Sequence, residues 1–362
     1  MSGRLLKHAV LFQDFGEIAC AAQRHLAHQT LYGPSAICPS INAAPYVYPP
    51  WVADAVSIPL RWAGHQGLSL GYLALFLVSA AALLWFACGL PIRGVKFIPR
   101  IAFMGFVAGG PLAFGNIAIV LHASICAAAL YFGADSVGLA IFIGLAALAK
   151  PQFLLLLAIP LLSRAKLARK LILVAAVIAA VGAVYLAPWN GMDAWRHTVG
   201  EMMAGRDRGG GFVSLMAMVG VHDTRVLGIA YIALAAALLG SAWCFARWSR
   251  LEGSHRLWLG YTVGVLMFPR LMCYDVLGLG PGIMAALSRL SQVDEIAGIR
   301  LNLLAFCCCC LCLVSTLAGG VLHIGRDLSY LGLWALVILL AIFSTSLRTG
   351  PVRRGTNAPT KP

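Results

Sequence analysis

The feature that most constrains this sequence is a series of apolar stretches, each about as long as a membrane is thick. A helix needs about 20 consecutive apolar residues to cross the hydrocarbon core of a bilayer. Five stretches reach that length with very few charged residues. They are residues 70–90, 167–187, 226–246, 301–322 and 329–347. This pattern predicts an all-α, polytopic integral membrane protein.

The composition excludes several other classes of protein. Hydrophobic residues make up 60% of the chain and charged residues 11%, whereas soluble domains average about 45–50% and about 25%. The 11 cysteines lie mostly within apolar runs, and no Cys/His spacing fits a four-ligand zinc site. The sequence has no phosphate-binding loop, dinucleotide fingerprint or basic–aromatic patch for nucleic acid.

Three longer apolar segments contain natural breaks. Residues 257–290 are long enough for two spans, with polar residues between them at positions 269–275. Residues 101–131 are interrupted by Gly-Gly-Pro at 109–111, and residues 136–163 by Lys-Pro at 150–151. Each of these last two segments is either one tilted span or a pair of short helices. The whole chain is expected to contain about nine to eleven spans.

The basic residues predict the orientation of the chain. Of the 27 lysine and arginine residues, 16 lie in one set of segments and 7 in the opposite, longer set. Because positive charge is retained on the cytoplasmic side, the richer set is predicted to be cytoplasmic, and the net charge of +14 to anchor the chain to anionic lipid. The richer set is 91–100, 164–170, 247–256, 289–300 and 348–362, and the poorer set is 13–69, 188–225 and 323–328.

These assignments divide the chain into three parts. Residues 1–69 form a truncated N-terminus and a first external loop. Residues 70–347 form the multi-span membrane domain, which carries a second external loop at 188–225, and residues 348–362 form a basic cytoplasmic tail. Since only a short apolar run precedes the outward loop, we expect a transmembrane helix that precedes it to be missing from the chain. The alternative is that the first loop is translocated without a helix of its own.

The first external loop has two recognisable parts. From Asp14 to about Ala27 the apolar residues recur at helical spacing, which predicts a short amphipathic helix on the membrane face. The sequence YVYPP at 46–50 predicts a rigid, extended segment that leads back into the bilayer. In the second loop, glycines at 209–211 between charged residues are typical of a mobile lid or of a plain flexible loop.

An ordered set of motifs resembles one known family. The acid and short helix of the first loop are followed by YVYPP, by GN at 115–116, by LAKPQ at 148–152 and by FPR at 268–270 with YD at 274–275. Together, over roughly residues 13–290, they resemble the polyprenol-phosphate-sugar-dependent glycosyltransferases of family 87, within the GT-C superfamily. The resemblance implies a GT-C-like helical bundle with external amphipathic loop helices.

The resemblance also implies an activity. The protein is expected to move a hexose, mannose by family habit, from a polyprenyl phosphate to a lipid or glycan acceptor on the outer face of the cytoplasmic membrane, with inversion in one displacement. This chemistry needs no nucleotide or cofactor. Asp193, Glu201 and Asp207 could help to bind a divalent cation, although their spacing is not typical of metal ligands. The alternatives are a lipid or small-molecule transporter and a catalytically degenerate relative.

The resemblance assigns the catalytic base to Asp14, the acid of the first external loop. Glu17 lies three residues later on the same predicted helix face and is the fallback. The alternative is that Asp14 only stabilises the first turn of a helix.

Two cations are candidates for binding the donor phosphate. Lys150 stands alone in an apolar stretch, where an ionisable group is costly and functional by default. The guanidinium group of Arg270 suits phosphate geometry. Each cation has a structural alternative, a buried ion pair, with Asp275 as the available acid. Asn116 and His122, which lie in a membrane stretch, are more typical of hydrogen-bonded packing groups than of ligands. The residues expected to line the substrate site are Tyr48, Asn116, Gln152, Tyr274 and Asp275.

Overall fold

The structure is a computed structural model. It describes residues 12–33, 38, 45–89, 115–204, 210–272, 274–317 and 323–349. The Gly-Gly-Pro interruption predicted at 109–111, residues 1–11, Gly209 and most of the basic tail lie outside these ranges.

Within the described residues the protein is all-helical, as the sequence predicts. Thirteen α-helices are joined by loops and by short 3₁₀ and π turns. The α-helices are α1 (Gln13–Leu26), α2 (Pro50–Leu84), α3 (Ala118–Phe132), α4 (Val137–Ala149), α5 (Ala158–Leu162), α6 (Leu167–Leu186), α7 (Met192–Ala204), α8 (Phe212–Met218), α9 (Thr224–Trp248), α10 (Gly253–Leu266), α11 (Leu279–Ser291), α12 (Glu295–Leu317) and α13 (His323–Thr349). The π turn is Trp85–Gly89, and the 3₁₀ turns are Pro151–Leu157 and Val276–Gly278.

All five long apolar stretches form helices long enough to cross a membrane. They belong to α2, α6, α9, α12 and α13. Much of the apolar surface of α6 and α9 stays exposed, which is expected of helices whose solvent is lipid rather than water. The prediction of a polytopic membrane protein is confirmed.

The first of these helices is longer than the sequence indicates. It begins at Pro50, directly after the YVYP segment, and continues to Leu84. Gly64 interrupts it with φ of 65° and ψ of −178°, a conformation that glycine tolerates and that bends the chain. The segment predicted to be the first external loop therefore continues from Pro50 into one kinked helix.

Two of the three interrupted apolar segments, 136–163 and 257–290, are pairs of helices. Residues 257–290 form α10 and α11, and the polar residues between 269 and 275 form the connection. In residues 136–163, α4 ends at Ala149 and the chain resumes at Pro151 as a 3₁₀ turn that leads into α5. Of the two alternatives for this segment, the structure has the pair of short helices.

Helix α10 lies at the centre of the bundle, buried on all sides from Leu257 to its end. Glycines let the neighbouring backbones approach it closely: a Cβ on Gly260 would lie 2.7 Å from the Cα of Ile159 in α5. Small residues at such contacts are typical of helix packing in membranes. Because α10 is so tightly enclosed, its C-terminal end at Leu266 is a rigid support for the connection that follows.

Candidate active site

A single side-chain amide joins the candidate base to the candidate phosphate-binding lysine. The Nδ2 of Asn116 donates to Oδ2 of Asp14 at 2.6 Å, and the Nζ of Lys150 donates to Oδ1 of Asn116 at 2.7 Å. The same Oδ1 accepts from the backbone N–H of Ala118 at 2.9 Å, which fixes the amide at the start of α3. Asn116 is 4% exposed, while Asp14 and Lys150 are half-buried. The three groups form one hydrogen-bonded row with a carboxylate at one end and an ammonium group at the other.

Lys150 reaches this row because the helix pair breaks at that point. Its backbone is extended, with φ of −141° and ψ of 105°, as is favoured for a residue before proline. The last carbonyls of α4 are satisfied from outside the helix. The Tyr185 hydroxyl donates to the carbonyl of Ala147 at 3.0 Å, and the Trp51 indole donates to that of Leu148 at 2.8 Å.

Helix α1 is seated on α2 by aromatic contacts. The ring of Phe15 stacks on that of Tyr72 with centroids 4.1 Å apart, and Phe12 meets Phe76 edge to face. The Tyr72 hydroxyl donates to the carbonyl of Gly115 at 2.6 Å, directly before Asn116. One tyrosine of α2 thus positions both α1, which carries Asp14, and the residue that precedes the linking amide.

The YVYPP segment is held as a strap over α1 by hydrogen bonds to its backbone. The Tyr32 hydroxyl donates to the carbonyl of Tyr48 at 2.7 Å, and the Trp195 indole of α7 donates to that of Val47 at 3.0 Å. The backbone N–H of Val47 donates to Oε1 of Glu17 at 2.8 Å. Both segments predicted to be external loops therefore meet at this strap.

The environment of Glu17 differs from that of Asp14. Its side chain is 5% exposed, and burial raises its pKa well above the usual carboxyl range, with a smaller contribution from the charge of Asp14. The hydrogen bond from Val47 and the charge of Lys150 act in the opposite direction but are outweighed. Glu17 fastens the strap to α1, whereas the side chain of Asp14 is only half-buried.

Aromatic faces enclose the ammonium group of Lys150. Its Nζ lies 4.8 Å from the ring centroid of Tyr274 and 5.5 Å from that of Tyr48. Contacts of a cation with two ring faces stabilise its charge. Gln152 lies two residues farther on, half-buried in the 3₁₀ turn.

Asp275 belongs to a buried polar network behind Lys150. Its Oδ1 lies 3.2 Å from Nε2 of His122, whose Nδ1 lies 2.8 Å from the Tyr261 hydroxyl. Its Oδ2 accepts from the backbone N–H of Met272 at 3.1 Å. Asp275 and His122 are almost fully buried, so both side chains are enclosed by protein. This agrees with the interpretation of His122 as a hydrogen-bonded packing group.

Arg270 lies in the connection between α10 and α11. Its positive charge repels that of Lys150, whereas the carboxylates of Asp275, Asp14 and Glu17 attract the Lys150 charge. The neighbouring Leu271 exchanges two backbone hydrogen bonds with Gly210, at 2.9 and 2.8 Å. Of the glycines predicted to form a mobile or flexible loop, Gly210 is therefore hydrogen-bonded to the connection that carries Arg270.

A disulfide that was not predicted from the sequence lies in the segment predicted to be the first external loop. Cys20 of α1 is bonded to Cys38, and both side chains are buried. Their signal was position: they are the only two cysteines among residues 13–69, whereas the others lie in or beside apolar stretches. The bond ties the middle of α1 to Cys38, which precedes the strap in the chain.

The described residues contain no group of three or more His, Cys, Asp or Glu side chains arranged to hold a metal ion. Asp193 pairs with Arg196 at 3.0 Å, and Glu201 lies 3.6 Å from His197, all within α7. Asp207 lies outside the described residues.

Comparison with known protein families gives a match over more than half of the chain. The model of glycosyltransferase family 87 matches residues 46–273. The chain belongs to glycosyltransferase family 87. The family 87 match covers the strap, Asn116, Lys150 and Arg270, whereas Asp14 and Glu17 precede it and Asp275 follows it. No curated protein and no solved structure is matched by the chain.

The match identifies the protein as a family 87 glycosyltransferase with transmembrane helices. The resemblance inferred from the ordered motifs is therefore confirmed as to family. The structure adds that three of the motifs, GN, LAKPQ and the acid of the first loop, meet in one hydrogen-bonded row.

Proposed function

We propose that this family 87 enzyme transfers a hexose from a polyprenyl-phosphate donor to a hydroxyl of a lipid or glycan acceptor. The observation that carries the proposal is the row from Asp14 through Asn116 to Lys150, with bonds of 2.6 and 2.7 Å. Such a transfer needs a base for the acceptor and a cation for the leaving phosphate, held at a fixed separation. The row supplies both, and mannose is the sugar that the family resemblance favours.

In the proposed reaction Asp14 is the general base. Its carboxylate takes the proton of the acceptor hydroxyl while the acceptor oxygen forms a bond to the anomeric carbon. The bond from that carbon to the phosphate oxygen breaks, and polyprenyl phosphate leaves with the electron pair. One displacement of this kind inverts the anomeric centre, and no covalent sugar–enzyme species is formed.

Lys150 and Arg270 are proposed to hold the donor phosphate. The positive charges of Lys150 and Arg270 repel each other at this site. An anionic phosphate bound by both would offset that repulsion. Negative charge that develops on the leaving group would be stabilised by the same cations. Tyr48 and Tyr274, whose ring faces lie beside Lys150, are proposed to line the sugar or phosphate site with Gln152, while Asp275 supports it from behind.

The active side is proposed to face outward. The external assignment of residues 13–69 rests on the distribution of basic residues. The disulfide between Cys20 and Cys38 supports it, because such bonds persist in oxidising compartments and are rare in the cytosol. The base, the strap and the disulfide all belong to this loop.

The proposal is tested by a transfer assay in membranes with labelled polyprenyl-phosphate mannose and glucose. Asp14→Asn keeps the size of the side chain and a hydrogen-bonding oxygen but removes the base. We expect transfer by the wild type and a loss of about 100-fold or more in kcat for the variant, with donor binding retained. Asp193→Asn, on the exposed surface of α7, is the matched control and is expected to transfer normally.

Two results would overturn the proposal. Full activity in Asp14→Asn with loss of activity in Glu17→Gln would move the base by one helical turn. Absence of transfer by inserted wild-type protein with every donor tried would favour transport or a degenerate relative. Uptake of labelled lipid into vesicles would then separate those two alternatives.

A further inference from the structure

We propose that Asp327 is a positioning residue for Arg270, acting through the second external loop. Asp327 lies in α13, beyond the residues matched by the family model. Its side chain is 1% exposed, and burying a carboxylate is costly unless it is hydrogen-bonded. The inference rests on the proposed function, because Arg270 is taken there to bind the donor phosphate.

Asp327 binds the second external loop with both carboxylate oxygens. Oδ1 accepts from the backbone N–H of Gly211 at 3.0 Å, and Oδ2 accepts from the Ser214 hydroxyl at 2.7 Å. Charge-assisted bonds of this kind are stronger than those between neutral groups. The carboxylate therefore anchors residues 211–214, at the beginning of α8, to α13.

The anchored segment in turn holds the backbone on both sides of Arg270. The N–H of Val213 donates to the carbonyl of Pro269 at 3.0 Å, and Gly210 exchanges two hydrogen bonds with Leu271. Gly211 has φ of +93°, and a Cβ there would lie 3.3 Å from the Leu271 side chain. Glycine is thus needed at 211 for both its backbone conformation and this close approach.

The connection that carries Arg270 has other anchors, which keep its beginning in place without Asp327. The Trp334 indole donates to the carbonyl of Leu266 at 2.9 Å, and the Tyr231 hydroxyl donates to that of Met267 at 3.0 Å. These bonds end before Pro269. Loss of the Asp327 bonds is therefore expected to displace Arg270 rather than to unfold the bundle.

The test uses the full-length protein in lipid nanodiscs and compares three variants. Asp327→Ala removes both acceptors. Asp327→Asn keeps an oxygen for Gly211 and an NH₂ group that donates to the Ser214 hydroxyl. Ser344→Ala is the matched control, since this buried serine of α13 bonds only within its own helix, to the carbonyl of Ala341.

We expect Asp327→Ala to raise the donor KM by about tenfold or more, because a shift of about 1 Å in a binding group costs up to about 100-fold. The acceptor KM is expected to stay unchanged. Hydrogen–deuterium exchange should rise in peptides covering 210–214 and 269–272. Asp327→Asn and Ser344→Ala should remain within about threefold of the wild type and keep its exchange pattern.

The inference is overturned if Asp327→Ala retains the wild-type donor KM and exchange. It is also overturned if Asp327→Asn is impaired as strongly as Asp327→Ala, because the charge rather than the anchoring geometry would then matter. If Asp327→Ala fails to fold, Ser214→Ala removes one of the two bonds and must give a smaller rise in the same KM. A wild type that shows no transfer refutes the proposed function, whereas the exchange measurement still decides whether Asp327 anchors Arg270.

Discussion

Asp14 and Lys150 bond to opposite ends of one amide, that of Asn116, although Asp14 lies 102 residues before that amide and Lys150 lies 34 residues after it. Helix α1, the start of α3 and the break after α4 must all be in place for the row to form. A carboxylate and an ammonium group held in this way have a fixed separation. For a transfer reaction that separation sets how acceptor and donor are aligned.

Asn116→Leu is the direct test of this arrangement. Leucine has a similar size but cannot form hydrogen bonds to Asp14 or Lys150. The two charged groups are then no longer held at a fixed distance from each other. We expect kcat for transfer to fall by about 100-fold. Asn302→Leu is the control, because its amide bonds only within its own helix, to the carbonyl of Gly298. Wild-type kcat in Asn116→Leu would show that the row is incidental to catalysis.

Substitution of either proposed phosphate-binding residue, Lys150 or Arg270, should weaken binding of the donor. Lys150→Met keeps the apolar stem and removes the charge, and Arg270→Gln removes the guanidinium group. Each is expected to raise the donor KM by about tenfold or more, because a charge-assisted bond to phosphate is lost. Steady-state kinetics with both substrates varied would measure this. Lys166→Met, at an exposed position, should leave the donor KM unchanged, and an unchanged value in Lys150→Met would contradict the assignment.

Glu17 predicts a pH-dependent difference in stability. Burial raises its pKa above the ordinary value of 4.5, so the folded protein binds this proton more tightly than the unfolded chain does. Its stabilising contribution is present below the ordinary pKa and is lost as the pH rises through the raised one. Glu17→Gln mimics the protonated form and should raise the apparent Tm at neutral and alkaline pH but change it little in acid.

The measurement is the apparent Tm in detergent from about pH 4 to about pH 9. Glu201→Gln, at an exposed position of α7, should have no comparable pH dependence. A difference between Glu17→Gln and the wild type that is constant over this range would mean that Glu17 is charged throughout.

The disulfide is expected to stabilise the part of the enzyme that carries the base. Replacing Cys20 and Cys38 by serine opens a loop closed over a sequence separation of 18 residues. A cross-link of this span contributes about 3 kcal/mol. We expect a lower apparent Tm and, because α1 is less firmly held, a lower kcat. Cys244→Ser, which removes a free cysteine, is the control. Unchanged Tm and kcat in the double variant would show that the strap and the aromatic contacts suffice.

The fold class and several helix boundaries could be predicted from the sequence because they depend on local properties of the chain. Length and hydrophobicity alone identify α6 or α9 as membrane helices. The break at Lys150 follows from the proline at the next position. The short amphipathic helix that carries Asp14 follows from the spacing of its apolar residues.

Other features escaped sequence analysis because they depend on residues far apart in the chain. Neither the apolar pattern nor any motif indicates that Tyr72 bonds next to Asn116, or that Asp327 reaches Gly211. The motif of each candidate residue was visible, but whether Asn116 was a packing group or a link was not. Only its two partners decide that.

What the sequence by itself determined is that this chain is a membrane-embedded, all-helical protein with an acid and isolated cations in the motifs of one family. Hydrophobic partition into a bilayer depends on each segment separately, so the segments can be recognised one at a time. The tertiary structure decided which polar groups meet. Buried polar groups must find hydrogen-bond partners, and in this fold those partners come from helices that are distant in sequence, so that Asp14, Asn116 and Lys150 form one row.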